Sequence, residues 1–237
     1  AGNGIGRAIA QALVAEGVRT VFADVNRDTV EAAAAGSAQP KLAIPWVGDL
    51  AQREACDALL AHARATLGQV THFVHSAAPP RREADHSFAV TSETWERMHA
   101  VNIDAGFHLA RELARALIAA RAPGSFLMLT SLHAETPRNL PHYSTAKAAL
   151  AILVKELAKT LGRFNIRVNA LVPGAIAAGG FVADPALARH IPLGRLGKSE
   201  DLAPMALAIL SNKISGYVTG AAFVVDGGIS LTNWFDP

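Results

Sequence analysis

The sequence predicts a single-domain α/β protein: a doubly wound parallel sheet with helices on both faces. Three observations predict it. Short apolar runs of strand length alternate with helix-length segments along the 237 residues. Repeated strand–helix units of this kind close into a parallel sheet. The chain also opens on a glycine-rich turn that runs into an apolar helix and then into a strand closed by an acid. In order, the turn carries Gly2, Gly4 and Gly6, and the helix after it has its apolar run at 9–13 and ends near Gly17. Residues 18–24 read as a buried strand closed by Asp24. Strand 41–47, helix 52–67 and strand 70–75 follow. A long helix is expected over 92–121 and a strand over 125–129, ending at Thr130-Ser131. Helix 143–161, strand 166–171, helix 200–211 and strand 222–225 complete the pattern. No repeat, linker or low-complexity stretch interrupts it.

Composition narrows the class. The chain is 51% hydrophobic, enough for a large core, and 18% charged, with a formal net charge of +2. The 22 Lys+Arg are scattered, so the pI near 8.9 is no nucleic-acid signature. One cysteine, Cys56, excludes an internal disulfide and reads as a small core residue. No apolar run approaches the roughly 18 residues that span a membrane. A cytoplasmic location is expected, with neither nucleic acid nor membrane as partner and no metal site.

Two local patterns carry chemistry. Tyr143 and Lys147 stand four residues apart, with Ser131 twelve residues before Tyr143. On a helix, i and i+4 share a face and can meet one ligand together. An ammonium beside a phenol favours the phenolate, and such a phenol exchanges protons with an alcohol or a carbonyl. A surface Tyr and Lys at helical spacing is the bland alternative. At the N-terminus, Gly2-Asn3-Gly4-Ile5-Gly6 would let backbone approach a pyrophosphate, whose charge then sits at the helix N-terminus. Asp24, 18 residues beyond Gly6, is spaced to hold ribose hydroxyls.

Together these residues resemble the short-chain dehydrogenase/reductase family over essentially the whole chain. Gly2, Gly4 and Gly6 match the later part of its glycine loop. Asp49, in Gly48-Asp49-Leu50, matches an acid set against the adenine ring, and Asn102, Ser131, Tyr143 and Lys147 match the catalytic residues. Asn169 to Gly174 matches the segment under the nicotinamide, and Val224 to Gly228 the last strand and its turn. The resemblance implies a Rossmann-type fold whose first strand is missing from this sequence, so that the natural chain is expected to carry a few more residues upstream. His75-Ser76-Ala77-Ala78 stands where many members have Asn-Asn-Ala-Gly, and Ala178 where many have Thr. The carboxamide would then be met by backbone amides such as that of Ile176.

The resemblance also implies roles. Tyr143 is the expected general acid/base, Lys147 its tuner and a ribose ligand, Ser131 the holder of the substrate oxygen, and Asn102 the anchor of a water leading to solvent. Helix asparagine, turn-capping serine and helix N-cap are the plain structural alternatives for Asn102, Ser131 and Asp49. Cofactor contacts are expected at Gly2, Asn3, Gly4, Ile5, Gly6, Asp24, Asp49, Leu50, Ser76, Ala77, Tyr143, Lys147, Pro173, Gly174 and Ile176. Asp24 favours NAD over NADP, with Arg27 the one nearby cation that could reverse this. The expected reaction is hydride transfer between NAD(H) and a secondary alcohol or carbonyl, with a sugar or polyol as substrate. A 3-oxoacyl-thioester or general ketone reductase is the alternative, and a non-catalytic cofactor-sensing protein the reading from another class. Polar residues of loop 133–142, with His133, Glu135 and His142 as substrate candidates, suit a polyhydroxylated ligand. Segment 175–193 should form a lid, and Trp234 and Phe235 could close an apolar side. Apolar residues all round the first half of helix 143–161, with apolar surface on helix 92–121, point to a homo-oligomer. The family implies a tetramer.

Overall fold

The computed structural model describes residues 1–178 and 185–231; Trp234, Phe235 and the middle of the expected lid lie outside them. The elements are α1 (Gly4–Ala15), β1 (Thr20–Asp24), α2 (Arg27–Ala35), β2 (Ala43–Val47), α3 (Arg53–Leu67) and β3 (His72–His75). Then come α4 (Ser92–His99), α5 (Ala105–Ala119), β4 (Gly124–Leu129), α6 (Pro141–Leu161) and β5 (Ile166–Pro173). A short pair β6 (Ile176–Ala177) and β7 (Gly197–Lys198), then α7 (Ser199–Leu210), α8 (Asn212–Ser215) and β8 (Ala222–Val225) follow.

Among the described residues every strand pairing is parallel, in the orders β1-β2, β3-β4-β5-β8 and β6-β7. Parallel neighbours need crossover connections, which the helices supply. The period of two along β4 divides the core. Phe126 and Met128 face α3, α5 and α6, where they meet Leu60, Leu109, Leu113, Leu150 and Val154. Leu127 and Leu129 face α1 and α7, against Ile9, Leu13, Leu202 and Ile209. Helix α1 also gives Ala10 and Val14 to a third cluster with Phe22 of β1 and Val30 of α2. It therefore ties the β1-β2 pair to the four-stranded group. This burial on both sides accounts for the near-continuous apolar runs in the sequence.

Short elements β6, β7 and α8 were not expected, and two longer segments also differ from expectation. The segment 92–121 is not one helix: a π-helical turn over Ala100–Asp104 separates α4 from α5. Its Asn102 carbonyl accepts from His75 Nε2 at 3.1 Å. Gly106 makes room for that imidazole, since a Cβ there would lie 2.9 Å from His75 Cδ2 and Nε2. Helix α2 was unforeseen. Its cap is Asn26, whose side chain accepts from Thr29 N at 3.0 Å.

Candidate active site

Pro141 opens α6 at its first turn, where a missing N–H costs nothing. Tyr143 and Lys147 then fall one turn apart on the buried face, 7% and 4% exposed. Lys147 Nζ donates to the Leu129 carbonyl at the end of β4 (2.8 Å) and lies 5.8 Å from the centre of the Tyr143 ring. Burial, and secondarily the charge of Arg81, lower the Lys147 pKa to about 7. A lysine that exchanges its proton near neutrality suits a relay to a proton-carrying phenol.

Ser131 lies two residues past the end of β4 and is buried. Its Oγ accepts from His133 N at 3.2 Å, capping the 3₁₀ turn Leu132–Ala134. It is thus a turn cap, and because it accepts in that bond its own O–H stays available as a donor. The His133 ring stands edge-on to Tyr143, with centroids 6.3 Å apart.

Asn102 is fully buried in the π-turn. Its Nδ2 donates to the Met98 carbonyl at 2.9 Å, and Met98 packs in one cluster with Tyr143, Leu140 and Ala146. The helix-internal bond is therefore made, yet Oδ1 has no protein donor. A buried acceptor left without one costs about 1–3 kcal/mol, so the site is made for a water or ligand donor. His75, which the sequence marked only as a departure from the family pattern, also belongs to this end of the sheet. Burial first, then the charge of Lys147, draw its pKa down to about 4, so it is neutral. A carbonyl only accepts, so the Nε2 facing Asn102 carries the proton.

The dinucleotide-binding candidates gather at the carboxyl ends of the strands, as open α/β sheets require. Gly4 has a φ of 56° and sits at the N-terminus of α1, where Asn3 Oδ1 accepts from its N–H at 2.7 Å. A Cβ on Gly6 would collide with Ser76 Oγ, so the glycine turn presses on the residue that follows β3. Ile5 packs among the α1–α7 core, and Ala77 extends the chain beyond Ser76. Asp24 Oδ2 accepts from Gly2 N at 2.8 Å and Oδ1 from Asn26 N at 3.0 Å, placing a carboxylate beside the turn. Pro173 ends β5, and Gly174 passes so close to Asp226 that a side chain there is excluded. Ile176 is buried in β6. Positive φ, missing side chains and an open helix N-terminus form a cradle that a pyrophosphate fits. Asp49 is held differently from a helix cap. Its Oδ1 accepts from Ala51 N at 3.0 Å, its Oδ2 pairs with Arg97 of α4 at 2.9 Å, and Gln52 takes the cap position of α3. Leu50 packs against the main core.

The substrate candidates separate. His142 is fully buried, with Nε2 at 3.9 Å from Asp85, and burial lowers its pKa while Asp85 opposes the shift. Glu135 is exposed at the end of the 3₁₀ turn. Loop 76–91 contributes a residue the sequence reading left out: the Arg81 guanidinium lies 4.5 Å above the Tyr143 ring.

The family model described as Enoyl-(Acyl carrier protein) reductase matches residues 1–230. The mouse (3R)-3-hydroxyacyl-CoA dehydrogenase is 32% identical over 98% of this chain and 94% of its own length. The 3-ketoacyl-(acyl-carrier-protein) reductase of Brucella melitensis, solved with NADH, superposes with a TM-score of 0.90 at 28% identity, over 97% of this chain and 95% of that one. The gluconate 5-dehydrogenase of Burkholderia cenocepacia, solved with NADP and tartrate, gives 0.86 at 28% identity, over 98% and 93%.

Proposed function

We propose that this chain, which belongs to the short-chain dehydrogenase/reductase family and is an oxidoreductase of hydroxyl and carbonyl groups, moves a hydride between NAD and a polar secondary alcohol of the sugar or polyol kind. The observation that carries the reading is the buried Tyr143–Lys147 pair beside Ser131 at the carboxyl end of β4. A bound nicotinamide dinucleotide supplies the hydride acceptor. Tyr143 takes the alcohol proton through its phenol oxygen. Lys147 favours the ionised phenol and passes the proton on. Ser131 donates to the substrate oxygen and steadies the charge that develops there. Asn102, with Oδ1 open to a donor, holds the water that joins Lys147 to solvent.

NAD is favoured because the Asp24 carboxylate stands beside the glycine turn, where it would accept from ribose hydroxyls and repel a 2′-phosphate. Arg27, the cation that could reverse this, pairs with Glu31 at 3.0 Å. A 3-hydroxyacyl thioester is the second reading, supported by the named activity of the mouse relative. The chain is further proposed to be a homotetramer. The hollow between α5 and α6 is lined by Phe107, Ile118, Leu153 and Leu157, with Ile152 exposed nearby; light scattering that gave a monomer in an active preparation would remove this proposal.

Tyr143→Phe tests the mechanism. It should lower kcat on the order of 10²–10⁴-fold, the usual share of acid–base catalysis, with cofactor affinity kept. Activity within a few-fold of the parent takes Tyr143 out of the reaction. Comparing kcat/KM for NAD and NADP tests the cofactor assignment, which a higher value with NADP reverses.

A further inference from the structure

Loop 76–91 brings a positive charge to the site on a stiff lead. Ala77-Ala78-Pro79-Pro80 precedes Arg81, and each proline fixes its own φ and extends the residue before it. The Arg81 guanidinium lies 4.5 Å from the centre of the Tyr143 ring, and Lys147 Nζ lies 5.8 Å from the same point. Two cations therefore flank the phenol. The titrating groups around them carry little charge near neutrality. His75, on β3, is neutral, its pKa drawn down to about 4 by burial and then by the charge of Lys147. Burial also lowers the pKa of His133, edge-on to the Tyr143 ring, and that of His142 on α6, which Asp85 raises and His99 of α4 lowers. The carboxylates of the loop have other partners. Glu83 pairs with Arg138 at 3.0 Å, and Asp85 faces His142 with 3.9 Å between Oδ2 and Nε2. Among the described residues, Arg81 is the charged group that acts on Lys147 after burial, and it opposes protonation.

We propose that Arg81 is a positioning residue of the reaction: it holds a second positive charge against the Tyr143–Lys147 pair and so sets the pH range over which the pair can take a proton from the alcohol. The inference rests on the reading of Tyr143 as the proton carrier and deepens it. To receive the alcohol's proton, the pair must itself be one proton short. A cation beside both members favours loss of that proton whichever of them has held it, because the two titrate as a unit. Tyr143 and Lys147 are buried, so the field reaches them with less screening than it would at the surface. A guanidinium stays charged at every working pH. The position of that charge is what acts, whatever its N–H groups bind. The site thus sets a permanent cation against a titrating one.

The test reads the pair directly and then through turnover. Lys147 is buried while the other five lysines are exposed, so in protein labelled with carbon-13 at lysine Cε its signal should titrate apart from theirs, and Lys147→Met assigns it. Arg81→Gln should raise the Lys147 midpoint by about half a pH unit or more, Arg81→Glu should raise it further, and Arg81→Lys should stay nearer to wild type. A midpoint that does not follow the charge at position 81 overturns the inference. The second measurement is the pH profile of kcat/KM for the best substrate found in a panel of sugars and polyols. Its rise should move to higher pH in the same order, with the alkaline plateau of Arg81→Gln within about threefold of wild type. Packing of Arg81 on the ring alone would lower kcat/KM equally at every pH, and that result overturns the inference, as does a profile that stays in place while the lysine signal moves. A lysine signal that follows the charge, in a protein that oxidises no alcohol, upholds the hold of Arg81 on the pair and sinks the hydride-transfer reading instead.

Discussion

Two buried cations occupy opposite ends of one sheet, and the fold treats them in opposite ways. Arg167, near the start of β5, is saturated. Its Nε and Nη2 donate to Asn212 Oδ1 at 3.1 Å each, Nη2 also to Ser125 Oγ at 2.9 Å and the Leu210 carbonyl at 3.0 Å, and Nη1 to the carbonyls of Ile209 at 2.9 Å and Val218 at 3.3 Å. Ile209 and Leu210 end α7, so the guanidinium fills carbonyls left open at a helix C-terminus and offsets its dipole. Lys147, at the carboxyl ends, has the Leu129 carbonyl as its recorded acceptor among the described residues. An ammonium has three donors, and those not spent on Leu129 are left for water, cofactor or substrate. A charge whose donors are all spent fixes the fold. A charge held with donors in reserve performs chemistry and raises the energy of the empty site.

Neutralising each cation should split activity from stability. Lys147→Met should lower kcat on the order of 10²–10⁴-fold, since the phenol loses its partner. It should also flatten a pH dependence. The folded pKa of about 7 lies below the ordinary lysine value of 10.5. Between those values the unfolded chain binds more protons, so wild-type stability should rise with pH across that window. Urea midpoints at the two ends of the window check it; a wild type no more pH-dependent than Lys147→Met removes the titrating lysine from the account.

Arg167→Met should do the reverse. Several buried acceptors lose their donor, at about 1–3 kcal/mol each without strict additivity, so a loss of about 3 kcal/mol or more is expected in chemical denaturation. Turnover per folded molecule should stay within about twofold of wild type. A large fall in kcat with unchanged stability would erase the contrast.

The smallest effect is expected at His75, which belongs to the catalytic end yet is bonded like a structural group. Its folded pKa of about 4 lies below the ordinary imidazole value of 6.5. Its stabilising contribution is therefore complete above about pH 6.5 and is lost as pH falls towards 4. His75→Asn should soften the acid side of the stability profile by about 1–2 kcal/mol and reduce kcat only a few-fold. A profile identical to wild type between pH 4 and 6.5 would show that His75 does not titrate there.

The placement of Tyr143, Lys147 and Asp24 was legible because it follows from local spacing. Tyr143 and Lys147 need only a helix between them, and Asp24 only a strand after the glycine turn. Helix α2 was missed because Arg27, Asp28 and Glu31 hide a short apolar stripe of Val30, Ala33 and Ala34; the Asn26 cap was the available signal. The π-turn was hidden because the apolar pattern of 92–121 runs through it with no proline, and Gly106 marks its neighbour only once His75 is known to lie there. Arg81 and Arg167 could not be assigned from sequence at all. Arg81 lies over a ring 62 positions away, and half of the bonds of Arg167 go to backbone carbonyls, which every sequence has.

The wide turn at Ala100–Asp104 bears on how this chain tolerates length changes. An α-helix advances about 100° per residue, and a π-turn stores one residue more than the helix needs. Loss of any one residue from this stretch could be absorbed by closing the turn, leaving the helices on either side whole. What such a deletion would change is the angular setting of Asn102 against α6. Deletions, commonly borne by surface loops, thus have at this helix midpoint a place where one could leave the fold standing and reset the site.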